Sequence, residues 1–278
     1  MEQTKEKIND AVDRIKNAAS SVVENLSIED ILSKALKVPG VKIDRAKFLG
    51  KELICLYPEA VVDKAIKDNP ATAGVECDVI DRIAKNVINY ETNKVSAISF
   101  AAGVPGGFAM IGTVTADVAQ YFAFILRVMQ KLAYLYGFGE FELSDAAIND
   151  GTSNEVFTFL GVMMGVQEAN AAMKIIADTA SKKVAKDLAK QALTKGTIYP
   201  IVKSIAKQIG FKMTKQVFAD GVSKIIPVVG GVASGGLTYA TFKPCSYRLM
   251  NRFKQMPFCN PEYYHSTLEN FMEDNKNA

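Results

Sequence analysis

The stretch that decides the fold runs from Val95 to Leu126: Val95-Ser-Ala-Ile-Ser-Phe-Ala-Ala-Gly-Val-Pro105-Gly106-Gly107-Phe-Ala-Met-Ile-Gly-Thr-Val-Thr-Ala116-Asp117-Val-Ala-Gln120-Tyr-Phe-Ala-Phe-Ile-Leu126. Its first 22 residues, Val95 to Ala116, carry no charge, and Asp117 is the only charge in the whole stretch. A membrane-spanning helix needs about 20 apolar residues, so the length would serve. The interior would not. Pro105-Gly106-Gly107 stands in the middle, where proline breaks a helix and paired glycines favour a turn. The first arm is then about ten residues, about 15 Å of helix, or half the hydrocarbon thickness of a bilayer. The stretch predicts a helical hairpin, either buried in a protein core or inserted shallowly in one leaflet.

Helical periodicity continues on both sides. Upstream, Ile8, Val12, Ile15, Ala19, Val22 and Leu26 recur every three or four residues with charges opposite, as in an amphipathic helix. Ser27-Ile-Glu-Asp30 resembles a capping box and predicts a short helix ending near Pro39-Gly40. Asp44 is placed to cap the next, with Phe48, Leu49, Leu53 and Leu56 inward. Pro58 suits a first helical turn, and Asn69-Pro70 breaks the chain again. A longer helix is expected from Thr72, with Val79, Ile83, Val87 and Tyr90 on one face. Downstream, Ser153-Asn154-Glu155 predicts a helix start. The apolar run Val156 to Val166, holding Gly161 and Gly165, is expected to continue into a Lys-rich segment. A second uncharged run, Ile225 to Phe242, opens with Pro227 and holds Gly230, Gly231, Gly235 and Gly236. It predicts a second Gly/Pro-broken hairpin, with glycines spaced for close helix approach. Sustained alternation with β-branched residues is missing, so strands are not expected.

Composition narrows the function classes. The chain has 278 residues, 49% of them hydrophobic, with 33 basic against 30 acidic residues, a net charge of +3. Such a chain is too apolar and too weakly charged to be disordered. Its four cysteines, Cys55, Cys77, Cys245 and Cys259, are too sparse and too widely spaced for a disulfide framework or a zinc site. They read as free, mostly buried thiols in a reducing compartment. The opening residues lack an apolar signal region, so a cytoplasmic protein is expected. The net charge hides a division. Residues 1–181 hold 18 basic and 24 acidic side chains, whereas residues 182–224 hold 10 Lys against Asp187 and Asp220. The candidate lipid-surface residues there are Lys182, Lys183, Lys186, Lys190, Lys203, Lys207, Lys212 and Lys215. A run of Lys without a single Arg suits anionic lipid better than nucleic acid, where Arg forks are favoured. A solvated helix face is the plain alternative.

Signals for catalysis are weak. Gly230 to Gly236 lacks the Lys-Ser/Thr of a P-loop, and Gly103-Val-Pro-Gly106-Gly107 has neither the spacing nor the preceding strand of a dinucleotide turn. Ser234 does not sit in a nucleophile elbow. His265 is the single histidine, so a His-based metal site is not expected, nor is any cofactor. Asp117 is the most informative single residue, with Gln120 one turn on and Arg127 further along, too far to pair with it. A buried carboxylate must be paired or protonated. Asp117 is therefore either a structural group bonded to a partner elsewhere or, with Gln120 and Arg127, a ligand site.

The segment Ala35-Leu-Lys-Val-Pro39-Gly40-Val-Lys-Ile-Asp44-Arg45-Ala-Lys-Phe48-Leu49 resembles the opening of the EcsC protein family. Ala102-Gly-Val-Pro-Gly-Gly107, Ala116-Asp117-Val-Ala-Gln120 and Leu132-Ala-Tyr134-Leu-Tyr136-Gly137-Phe138 are similar to its middle. Ile226-Pro227-Val-Val-Gly230-Gly231 with Tyr239-Ala-Thr-Phe242 is similar to its closing segment, from which Gly236 and Thr238 depart. The likeness covers roughly residues 30–255. It implies a mainly bacterial protein, encoded beside an ABC transporter in the case that names the family, and it brings no catalytic residues.

The sequence thus predicts an all-α compact bundle of about eight to ten helices, the two apolar hairpins forming its heart. An amphipathic helix at 1–26 would precede a helical domain at 27–255 and a tail at 256–278. The expected function is that of a non-enzymatic accessory protein, peripheral at the inner face of the cell membrane. Anionic lipid, and by the resemblance an ABC transporter, would be its partners; nucleic acid would not. Two alternatives remain: a soluble module holding an apolar or lipid ligand near Asp117, and a self-associating pore built on the glycine-spaced hairpins.

Overall fold

The computed structural model describes residues 28–103, 110–141, 143, 150–181, 196–207 and 227–265. The chain is all-α, as its periodicity predicts, and the described residues form no strand. The helices are α1 (Ile28–Leu36), α2 (Arg45–Leu53), α3 (Glu59–Lys67), α4 (Cys77–Gly103) and α5 (Met110–Leu135), followed by α6 (Asp150–Met164), α7 (Gln167–Ser181), α8 (196–207) and α9 (Pro227–Phe253). A 3-10 turn at Pro257–Cys259 follows. The amphipathic segment 1–26, the turn residues Pro105, Gly106 and Gly107, and Lys182, Lys183, Lys186, Lys190, Lys212 and Lys215 lie outside the described residues.

Local chemistry explains many of the boundaries. Asp44 caps α2 by accepting a hydrogen bond from the Lys47 amide at 2.9 Å. Phe48, Leu49 and Leu53 point inward, but Leu56 lies past the end of α2 and is exposed beside Ile54. Pro58 stands at the start of α3, where its missing N–H is harmless. The long helix α4 begins at Cys77, five residues later than expected, because Asn69 first makes a turn. Its Oδ1 accepts from the Thr72 amide at 2.8 Å. Tyr90 is 58% exposed, at the edge of the apolar face that was expected to bury it.

Two corrections concern glycine. Gly230, Gly231, Gly235 and Gly236 do not turn the chain: they lie within α9, which runs unbroken from Pro227 through Pro244 to Phe253. The helix tolerates them because it lies along α4, its most extensive partner. The turn falls instead at Gly165, where the apolar run was expected to continue as helix. With φ at +78°, Gly165 lets the Val166 amide reach the Gly161 carbonyl at 2.8 Å and its own amide reach Val162 at 3.0 Å, closing α6 in a Schellman motif.

Gly161 brings helices into contact. A Cβ built there would meet Ala169 Cβ of α7 at 2.7 Å and Ile201 Cγ2 of α8 at 2.9 Å. Alanine would improve helix propensity by about 1 kcal/mol, but overpacking costs about 1–3 kcal/mol, and the nearer neighbour is a stiff Cβ. Gly161→Ala is expected to be net destabilising, by about 1–2 kcal/mol in a urea titration. A gain in stability would mean that α7 and α8 shift away at little cost.

The core centres on aromatic rings. Phe159 of α6 touches Phe138 and Phe253 at 5.0 Å each, and Phe138 touches Phe258 at 5.3 Å. Met256, Phe258 and Cys259, in the stretch expected as a tail, are buried in this core.

Arginine ties the ends of helices to their surroundings. Arg45, 7% exposed, donates to the carbonyls of Phe138 at 3.1 Å, Ala65 at 3.3 Å and Asp68 at 2.8 Å, and also to that of Ile66, clasping the C-terminus of α3. Arg248 donates to the Met163 carbonyl at the end of α6, at 2.7 Å. Bare helix-end carbonyls attract a planar cation, which supplies several donors at once.

Candidate functional site

Charge is buried between α4 and α5. Glu91 has 0% side-chain exposure, and it stands on the apolar face of α4, one turn from Val87 and Val95. Two cations one turn apart on α5 meet it. Arg127 forms a fork, Nε to Oε2 at 3.1 Å and Nη2 to Oε1 at 3.0 Å, and Lys131 Nζ reaches Oε1 at 2.6 Å. The remaining Nη1 of Arg127 donates to the Gly40 carbonyl, which draws in the loop after α1. Next to it Gln130, itself buried, donates to the carbonyls of Val41 and Leu126 at 2.9 Å each and accepts from the Ile43 amide at 3.0 Å. Burial pushes the Glu91 carboxyl up, but the hydrogen bonds and charges of Arg127 and Lys131 outweigh it and hold the group below the usual carboxylate range.

Aromatic rings complete the cluster. Lys131 Nζ lies 5.6 Å from the Phe48 ring and 5.7 Å from the Tyr90 ring, and Arg127 lies 5.7 Å from the Phe124 ring. Of the three residues predicted as a polar site, Arg127 is in this cluster. Gln120 is half-buried on α5, and Asp117 is on the same helix with its side chain outside the described residues. Glu91 was missed. Its signal was legible, however, since a lone acid between valines at i−4 and i+4 marks a carboxylate on an apolar face.

A second polar group joins the start of α4 to the end of the described chain. The Tyr136 hydroxyl donates to Asp81 Oδ1 at 2.7 Å, and Lys254 pairs with the other carboxylate oxygen. Burial and the Asp81 hydrogen bond push the Tyr136 hydroxyl far above its usual range, so it stays a donor. The four thiols are not joined in disulfides, and they are not mostly buried as was expected. Cys55 and Cys77 are exposed, Cys245 is half-buried, and only Cys259 is buried. Among the described residues no group of His, Cys, Asp and Glu could hold a metal ion, and His265 is exposed.

The described part of the Lys-rich segment is α8. Ile198, Ile201 and Ile205 are buried, so its apolar stripe packs against the protein. Tyr199, Lys203 and Lys207 face outward, at i, i+4 and i+8 of one stripe, and Tyr199 is 68% exposed. No helix of the described residues is long and apolar enough to cross a membrane. No protein-family model, curated protein or solved structure matches the chain.

Proposed function

We propose that the protein is a non-enzymatic helical accessory protein that docks on an anionic membrane surface, with α8 as the described part of its contact. The observation that carries this reading is the division of α8: isoleucines inward, and Tyr199, Lys203 and Lys207 outward. Lysines attract anionic headgroups, and an exposed tyrosine suits the headgroup layer, where one end of the ring is apolar and the other wet. Because its isoleucines are already buried, α8 would contact headgroups without inserting a hydrophobic face. The adjoining Lys-rich residues add charge to the same segment. The resemblance to the EcsC family agrees with a membrane setting and suggests an ABC transporter as neighbour.

Vesicle flotation tests the reading. The full chain is expected to float with vesicles containing phosphatidylglycerol and to remain behind with pure phosphatidylcholine. Each lysine near such a surface contributes about 1 kcal/mol, so Lys203→Gln with Lys207→Gln should weaken binding about thirtyfold. Binding to neither vesicle at low salt would remove the proposal.

A further inference from the structure

Four side chains stand in a row along the seam between α4 and α5, in the order Tyr90, Lys131, Arg127 and Lys94. Tyr90 and Lys131 meet ring to ammonium, Lys131 and Arg127 share Glu91, and Arg127 and Lys94 share the Phe124 ring, the last at 5.9 Å. Among the described residues the row holds three cations for one carboxylate. Glu91 lies beneath at 0% exposure, while Lys131 and Arg127 keep 13% and 15% side-chain exposure and Lys94 is exposed. Three positive charges less one negative leave a surplus of two on the outer side of the row.

We propose that this row binds a phosphomonoester dianion. The surplus of two positive charges matches the charge of such a group, where a single carboxylate would answer only half of it. Glu91 accepts one of the three ammonium donors of Lys131, and the exposed Lys94 ammonium brings three more. Arg127 spends three of its five N–H donors on Glu91 and the Gly40 carbonyl, which holds the row in place. Glu91 and the rings of Phe48 and Tyr90 already fix Lys131, so little side-chain freedom is lost on binding. The exposed ring of Tyr90, at the end of the row, offers a flat apolar surface to whatever the phosphate is attached to. This site is separate from α8 and does not depend on the membrane reading.

The phosphate could belong to a soluble phosphorylated compound or to a lipid headgroup, and two arms distinguish them. In the first, inorganic phosphate is titrated calorimetrically into the full chain at a pH where it is dianionic. In the second, flotation compares vesicles carrying phosphatidic acid with vesicles of equal charge carrying phosphatidylglycerol. Lys94→Gln changes an exposed side chain and leaves the Glu91 cluster intact. It is expected to weaken binding about tenfold, the worth of one charged hydrogen bond. Lys203→Gln, away from the row, is the control and should leave the phosphate titration unchanged. Phosphate binding without a preference for phosphatidic acid assigns the site to soluble compounds. A Lys94-dependent preference for phosphatidic acid assigns it to a headgroup. Both outcomes support the proposal. It is overturned if phosphate does not bind and the two vesicles are bound equally, or if Lys94→Gln changes neither arm.

Discussion

Glu91→Gln is expected to destabilise the protein by about 3–5 kcal/mol, because it removes the carboxylate that balances two cations folding has drawn out of water. Arg127 and Lys131 keep only 15% and 13% side-chain exposure, so neither can regain full hydration without leaving its place. Arg127 would also loosen its hold on the Gly40 carbonyl, and with it the loop between α1 and α2 that rests on α5. For a chain of this size about 1 kcal/mol corresponds to about 2–4 °C, so the melting temperature should fall by about 10 °C or more. The loss should be specific to the unbalanced charge. Replacing all three groups together, as Glu91→Leu with Arg127→Met and Lys131→Met, should recover most of the stability. If Glu91→Gln alone melted within a degree of the parent protein, the cluster would not be a stabilising element.

The same group predicts how the fold responds to acid. Arg127 and Lys131 hold the Glu91 carboxyl below its usual value of 4.5, against the opposing effect of burial. A lowered folded value means that the stabilisation is fully present above the unfolded value and is lost as pH falls through the folded one. The difference in stability between the parent protein and Glu91→Gln should therefore be constant near neutrality and shrink below about pH 4.5. Urea titrations at several pH values measure it. A difference that grew as pH fell would contradict the ion pairing.

Phe159→Ala is expected to cost a similar amount, about 3–5 kcal/mol, by a different mechanism. Phe159 is fully buried and touches three rings, Phe138 and Phe253 at 5.0 Å and Phe141 at 6.1 Å. These rings come from α9 and from the segment after α5, so a cavity at Phe159 would remove contacts to two distant parts of the chain at once. Their backbones are held elsewhere, Phe138 by its carbonyl to Arg45 and α9 by Arg248 to the end of α6, which limits collapse into the space. Phe159→Leu should cost less, since most of the volume is kept. A urea midpoint shifted at constant slope is the expected signature. A small loss for Phe159→Ala would mean that the core closes over the cavity.

The buried cluster and the outer row are two uses of the same residues. Glu91 orients Arg127 and Lys131 from below, which stabilises the pairing of α4 with α5, and the surplus charge remains on the outer side. A ligand there would also bind only the folded state and raise its stability. Thermal melts with and without phosphate would detect this in the parent protein, with a smaller shift in Lys94→Gln at the same phosphate concentration.

What the sequence determined by itself was local. The 3.6-residue recurrence of apolar positions established an all-α chain, Asp44 announced the start of α2, and Pro58 announced α3; Arg127 was named as a candidate polar residue, but its partner Glu91 was not. Each of these rests on forces acting within a few residues: backbone dihedral preference, a capping bond, or the alignment of one helical face. What only the tertiary structure decided was partnership. Glycines in 230–236 carry the same local signal as Gly165, yet the former continue a helix and the latter turns the chain, because α9 is held along α4 and α6 must fold back onto α7. Glu91 meets Arg127 across 36 residues of sequence, Arg45 meets Phe138 across 93, and Tyr264 accepts a hydrogen bond from Asn69 across 195. Pairings of that span depend on which helix faces close on one another. A free-energy minimum over the whole chain sets that choice, and no single window of sequence contains it.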